Sequence, residues 1–93
     1  MSGFQIKETN RIELKRELND KLEKEVVGFL NYHEGGTIYI GIDDDGNMIG
    51  LENVDDVQLK VKDRIKNNIM PSTLGLFDVY VKQTMARAIL KSI

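Results

Sequence analysis

The sequence predicts one α+β domain in two layers, with helices packed on a mixed or antiparallel sheet and the element order β-α-β-β-α-β-β. Three observations carry this expectation. Two stretches repeat their apolar residues at helical spacing, several short stretches alternate apolar and polar residues as strands do, and glycine or Asn/Asp clusters punctuate the boundaries. The length of 93 residues suits a single core, and 41% hydrophobic residues with one proline is the composition of a folded domain.

Each element has its own local reason. From Arg11 to Glu17, Ile12 and Leu14 alternate with Arg11, Glu13 and Lys15, which predicts a half-buried strand. From about Asp20 to Tyr32, Leu22, Val26, Phe29 and Leu30 recur on one helical face. Asp20 and Glu23 have the spacing of a capping box, and Gly35 and Gly36 are expected to stop the helix. Thr37 to Ile42 is apolar at nearly every position and is the expected centre of the sheet. Asp45-Gly46 then predicts a primed hairpin turn, with Met48 to Leu51 returning as a strand. Asn53 to Asp56 has the look of a helix start, followed by a stripe of Val54, Val57, Val61, Ile65 and Ile69 that ends near Asn67, Asn68 and Pro71. Phe77 to Gln83 and Ala86 to Ile93 alternate as two further strands joined near Thr84 and Met85. The last pattern stops in the middle of an apolar strand. This predicts an N-terminal fragment of a longer protein, residues 1–93 forming its single domain, with the final strand open for pairing in a homodimer.

Composition excludes several function classes. There is no cysteine, hence no disulfide, thiolate zinc site or cysteine nucleophile, and the lone His33 rules out a multi-histidine metal site. No apolar run approaches the roughly 20 residues of a membrane helix, and the opening ten residues lack the apolar centre of a signal peptide, so a cytosolic protein without membrane association is expected. A formal charge of −2 conceals a segregation. Residues 31–59 hold seven acidic and no Lys or Arg side chains, whereas residues 60–93 hold seven Lys or Arg and two acidic ones. Phosphate affinity depends on such local clustering rather than on net charge. An acidic turn region beside an ordinary basic helix has the same charges.

Familiar chemical signatures are missing. No phosphate-binding GxxxxGK[ST] loop or GxGxxG turn is present. Registering Gly46 at the sixth position of a calcium loop puts Gly41 where the first carboxylate is required. His33 has no partners for a nucleophilic triad. The remaining set is acidic: Glu8 and Glu13 around the first strand, and Asp43, Asp44 and Asp45 after the central one. Converging carboxylates can hold Mg²⁺ or Mn²⁺ for phosphodiester cleavage, but Glu8 and Glu13 would share a site only if the chain were irregular near Thr9 and Asn10. A polar strand edge and an acidic turn is the structural reading of the same residues.

The run Glu8-Thr-Asn-Arg-Ile-Glu13-Leu-Lys15, then Phe29-Leu-Asn31, then Gly35-Gly36 and the strand ending Gly41-Ile-Asp43-Asp44, then Gly46 and Gly50, resembles the Schlafen AlbA-type domain. The match runs from about Glu8 to Leu51 and more weakly to Pro71, with Leu14 where the pattern has an aromatic residue. The resemblance implies a nucleic-acid-binding domain of the kind found in bacterial proteins described as transcriptional regulators or RecG-related helicases. In vertebrate Schlafens it implies a metal-dependent RNA endonuclease, whose three catalytic and metal-binding carboxylates would fall on Glu8, Glu13 and Asp44, with Mg²⁺ or Mn²⁺ as cofactor.

From the residues themselves, a surface for DNA or RNA would draw on Lys7, Arg11, Lys15 and Arg16 around the first strand and on Lys60, Lys62, Arg64 and Lys66 of the second helix. There the spacing of four places Lys62 with Lys66, and Lys60 with Arg64, on shared faces. Tyr32, Tyr39 and Tyr80 are the aromatic residues able to stack on unpaired bases. The expected function is a DNA-binding module of a transcriptional regulator, with enzymatic activity left open. A Schlafen-type ribonuclease and a pure oligomerisation module are the alternatives.

Overall fold

The computed structural model describes residues 9, 11–31, 35–69 and 75–92. The elements are β1 (Ile12–Lys15), α1 (Leu22–Leu30), β2 (Gly36–Ile40), α2 (Val54–Asn68), β3 (Gly75–Lys82) and β4 (Met85–Ser92). They form an α+β structure in the order the sequence predicts, with the segment returning after β2 reduced to an isolated bridge between Ile42 and Met48. The four strands lie in the order β1-β2-β4-β3. β1 and β2 run parallel, which requires a crossover, and α1 supplies it. The other pairings are antiparallel, so the sheet is mixed.

Strand alternation divides the side chains between two faces. Ile38, Ile40, Val79, Ala86, Ala88 and Leu90 meet Leu22, Val26, Phe29 and Leu30 of α1 and Val61 and Ile65 of α2 in the main core. Val54, Val57 and Ile69, the rest of the predicted stripe, pack at its margin. On the opposite face, Leu14, Ile42 and Met85 form a smaller cluster with Ile12, Tyr39 and Met48. The loop after β2 closes over that end of the sheet. The Gly41 carbonyl accepts the Ile49 and Gly50 N–H groups at 2.9 and 3.0 Å, and the Leu51 N–H donates to the Thr84 carbonyl at 2.8 Å.

The local devices differ from those expected. The turn after β2 has the Gly46 N–H donating to the Asp43 carbonyl at 3.0 Å, with positive φ at Gly46 (86°) but not at Asp45. The central residues are Asp44 and Asp45, and neither has the positive φ that every primed turn needs at its first central position, so this is an unprimed turn followed by a left-handed glycine. Asp43 Oδ1 accepts the N–H groups of both Asp45 and Asn47 at 2.9 Å, an arrangement that rewards the ordinary backbone at Asp45. The capping box of α1 does not form. Lys21 occupies the N-cap without a side-chain bond, and Glu23 turns to α2 instead. The helix ends at Leu30, before Gly35 and Gly36. Gly36 opens β2, where a Cβ would come within 2.2 Å of the Phe29 ring, so its smallness serves helix-to-sheet approach rather than helix termination.

The predicted dimer edge is also revised. β4 pairs with β2 through Ala86–Leu90 and with β3 along its whole length, so both its hydrogen-bonding edges are occupied. It is an inner strand because the tight β3–β4 hairpin carries β3 outside it. The outer edge of β3 is partly closed as well: Gln58 of α2 donates through Nε2 to the Val79 carbonyl at 3.1 Å.

Candidate nucleic-acid interface

β1 carries the predicted residues to different fates. Its entry is a tight turn, with N–H to carbonyl bonds in both directions between Thr9 and Ile12 at 3.2 Å, so the chain is irregular near Thr9. Lys7 and Glu8 lie outside the described residues. Arg11 is exposed in that turn and Arg16 is exposed just beyond the strand. Lys15 departs from the expectation. It is 7% exposed and its Nζ pairs with Glu25 Oε2 of α1 at 3.0 Å. Alternation turns Lys15 to the helix face, where an unpaired ammonium would be costly, so its charge joins strand to helix instead of facing a ligand. Glu13 shares that face and is half-buried opposite Ile38.

The cations of α2 divide in two. Arg64 grips Glu23 through Nε at 2.8 Å and through a second, short bond from Nη2, while Asn68 Nδ2 donates to the same carboxylate at 2.9 Å. The bond from Arg64 holds the Glu23 carboxyl well below its usual range, down to about 2. In return the carboxylate raises the pKa of Arg64. Lys60 pairs with Asp56 one turn away at 3.1 Å, both side chains more than half exposed. Lys62 and Lys66 are exposed and enter no ion pair among the described residues. With Asp63, Phe77, Asp78 and Val79 they line a cleft of about 350 Å³ between α2 and the outer side of β3.

Among the acidic residues, Asp43 is engaged in holding its turn and Asp44 is exposed at the tip. Glu13 and Asp44 do not join a third acidic or histidine side chain in any group able to hold a metal ion among the described residues.

The sheet supplies two cations that sequence reasoning did not single out, Arg87 and Lys91, beside two tyrosines that it did. In β4, alternation buries Ala86, Ala88 and Leu90 and places Met85, Arg87, Ile89 and Lys91 on the other face. Arg87 stands in register between Tyr39 of β2 and Tyr80 of β3. Its guanidinium lies 5.4 Å from the Tyr80 ring centroid, a cation–π distance, and it enters no ion pair among the described residues. The alternation of this strand was visible in the sequence. What was not visible is that only the alanine-bearing face is covered by helices.

Among the described residues, no helix is long and apolar enough to cross a membrane. No curated protein and no solved structure matches the chain significantly. The family model described as "Schlafen, AlbA_2" matches residues 8–90, which supports a nucleic-acid-related domain. With nearly the whole chain matched, from the turn before β1 into β4, this protein belongs to the Schlafen, AlbA_2 family.

Proposed function

We propose that the chain is a nucleic-acid-binding module acting on DNA within a transcriptional regulator. The observation that carries this reading is the pair Lys62 and Lys66. They are one helical turn apart, exposed, and outside any ion pair among the described residues, in a member of a nucleic-acid-related family. Such a pair can neutralise neighbouring phosphates without first breaking a bond within the protein, unlike Lys15, Arg64 and Lys60. Arg16 adds an exposed cation near the end of β1. Positioning by phosphates without an inserted recognition helix gives affinity with little sequence discrimination.

The test is a fluorescence-anisotropy titration with labelled duplex DNA, single-stranded DNA and RNA across a salt series. Binding should weaken steeply with salt, and the double variant K62A/K66A should flatten the log–log salt slope by about 2, one for each lost phosphate contact. Binding indifferent to salt and to both lysines would overturn the reading. A parallel incubation with Mn²⁺ or EDTA examines the carboxylates Glu8, Glu13 and Asp44. Metal-dependent RNA cleavage that disappears in Glu13→Gln would replace the binding module by a ribonuclease.

A further inference from the structure

The face of the sheet turned away from the helices has the chemistry of a base-stacking surface. Register places Leu14, Tyr39, Arg87 and Tyr80 in one row across β1, β2, β4 and β3. At the usual strand spacing the two tyrosines stand about 10 Å apart with the arginine between them. Beside this row, Ile89 is opposite Asp78, and Lys91 is opposite Leu76. Tyr80, Leu76 and Ile89 are 44%, 63% and 37% exposed, so this is a broad uncovered patch on the two longest strands. On β3 and β4 the charges that alternation turns to this face are Asp78 and Lys82, and Arg87 and Lys91.

We propose that this open face binds unpaired bases of a single-stranded nucleic acid, with Tyr80 and Tyr39 as stacking surfaces and Arg87 and Lys91 as the cations that meet its phosphates. The inference rests on the nucleic-acid reading above and specifies its substrate class. Charge complementarity decides the occupant. Arg87 and Lys91, neither in an ion pair among the described residues, suit a polyanion. The exposed Tyr80, Leu76 and Ile89, with the half-buried Tyr39 beside them, suit the flat faces of bases, which a duplex keeps stacked inside. The guanidinium above Tyr80 is already oriented by the ring, so ordering it costs little entropy on binding. The lysine cleft between α2 and β3 borders this face at Asp78, so one strand can contact both.

The experiment titrates the full chain against fluorescein-labelled (dT)15 and a 15-base-pair duplex, using Tyr80→Ala, Tyr80→Phe, Arg87→Gln and K62A/K66A, with thermal melting as the check on folding. The single strand should bind at least about tenfold tighter than the duplex. Tyr80→Ala should weaken (dT)15 binding about 5- to 150-fold, the range of one lost base–aromatic stack. Duplex binding should be unchanged, and Tyr80→Phe should keep most of the affinity. Should Tyr80→Ala melt early, Arg87→Gln reads the same face without removing buried apolar surface, and it should also lower (dT)15 affinity selectively. Two results would overturn the platform while leaving the nucleic-acid reading intact: equal losses on both ligands, or sensitivity only to K62A/K66A. Self-association at this face, seen in sedimentation as a dimer abolished by Tyr80→Ala and unaffected by (dT)15, would overturn it too. No binding to either oligonucleotide would overturn the parent reading as well.

Discussion

At the scale of the residue, the same side-chain types take opposite roles according to which face they reach. Lys15 and Arg87 are both cations on strands. Lys15 turns toward α1 and is neutralised by Glu25, whereas Arg87 turns away and rests on Tyr80. The sequence offered both as basic residues in alternating strands, and only the position of the helices separates them. Gln83, in the β3–β4 hairpin, has a positive φ of 55°, a left-handed conformation that costs a side-chain-bearing residue about 1–2 kcal/mol. Gln83→Gly should therefore stabilise the protein by about 0.5–1 kcal/mol after the extra unfolded-state entropy of glycine is counted. Chemical denaturation checks this, and a loss of stability would contradict it. Gly36 is the converse case. A Cβ there meets the Phe29 ring, so Gly36→Ala should cost about 1–3 kcal/mol in the same measurement.

Between elements, the two helices are tied by Glu23, Arg64 and Asn68 rather than by the local caps their sequences suggested. A bidentate charge-assisted pair outweighs a single bond to a helix-end N–H, which is why the Asp20–Glu23 spacing misled. Because the folded-state pKa of Glu23 is lowered to about 2, the pair's stabilisation is complete above the ordinary value of 4.5 and is lost as pH falls through that window toward 2. The pair is partly solvated, so Glu23→Gln should cost about 1–2 kcal/mol at neutral pH. The variant should also show a shallower decline of melting temperature between pH 4.5 and pH 2; parallel acid profiles would refute the link. Helix positions and most strand positions were legible, since the stripe through Val61 and Ile65 and the alternation of β4 appear in the sequence. The turn types were less so, because Asp43 chooses the turn through bonds to Asp45 and Asn47 that spacing does not reveal.

At the scale of the whole molecule, strand order decides both stability and binding surface. β2 and β4 are paired on both sides, and their residues Ile38, Ile40, Ala86, Ala88 and Leu90 are at most 1% exposed. Hydrogen exchange should accordingly be slowest at the amides of these two strands and fast at the outward-facing amides of β3; uniform protection across the sheet would show that the hierarchy is wrong. The same order corrects the expectation that the C-terminal strand is a free edge for dimerisation, and it aligns Tyr39, Arg87 and the exposed Tyr80 in one row on the face without helices. By itself the sequence determined the α+β class, the two amphipathic helices, the family pattern between Glu8 and Gly50, and the supply of carboxylates and lysines. Local periodicity and motif spacing depend on neighbours along the chain, so they can be read without the fold. Tertiary structure alone decided that Lys15 is buried, that Arg64 is spent on Glu23 while Lys62 and Lys66 remain open, and that β4 lies inside the sheet with one face uncovered. Those outcomes depend on pairings between residues far apart in sequence, where burial and Coulomb attraction choose among partners that no local pattern distinguishes.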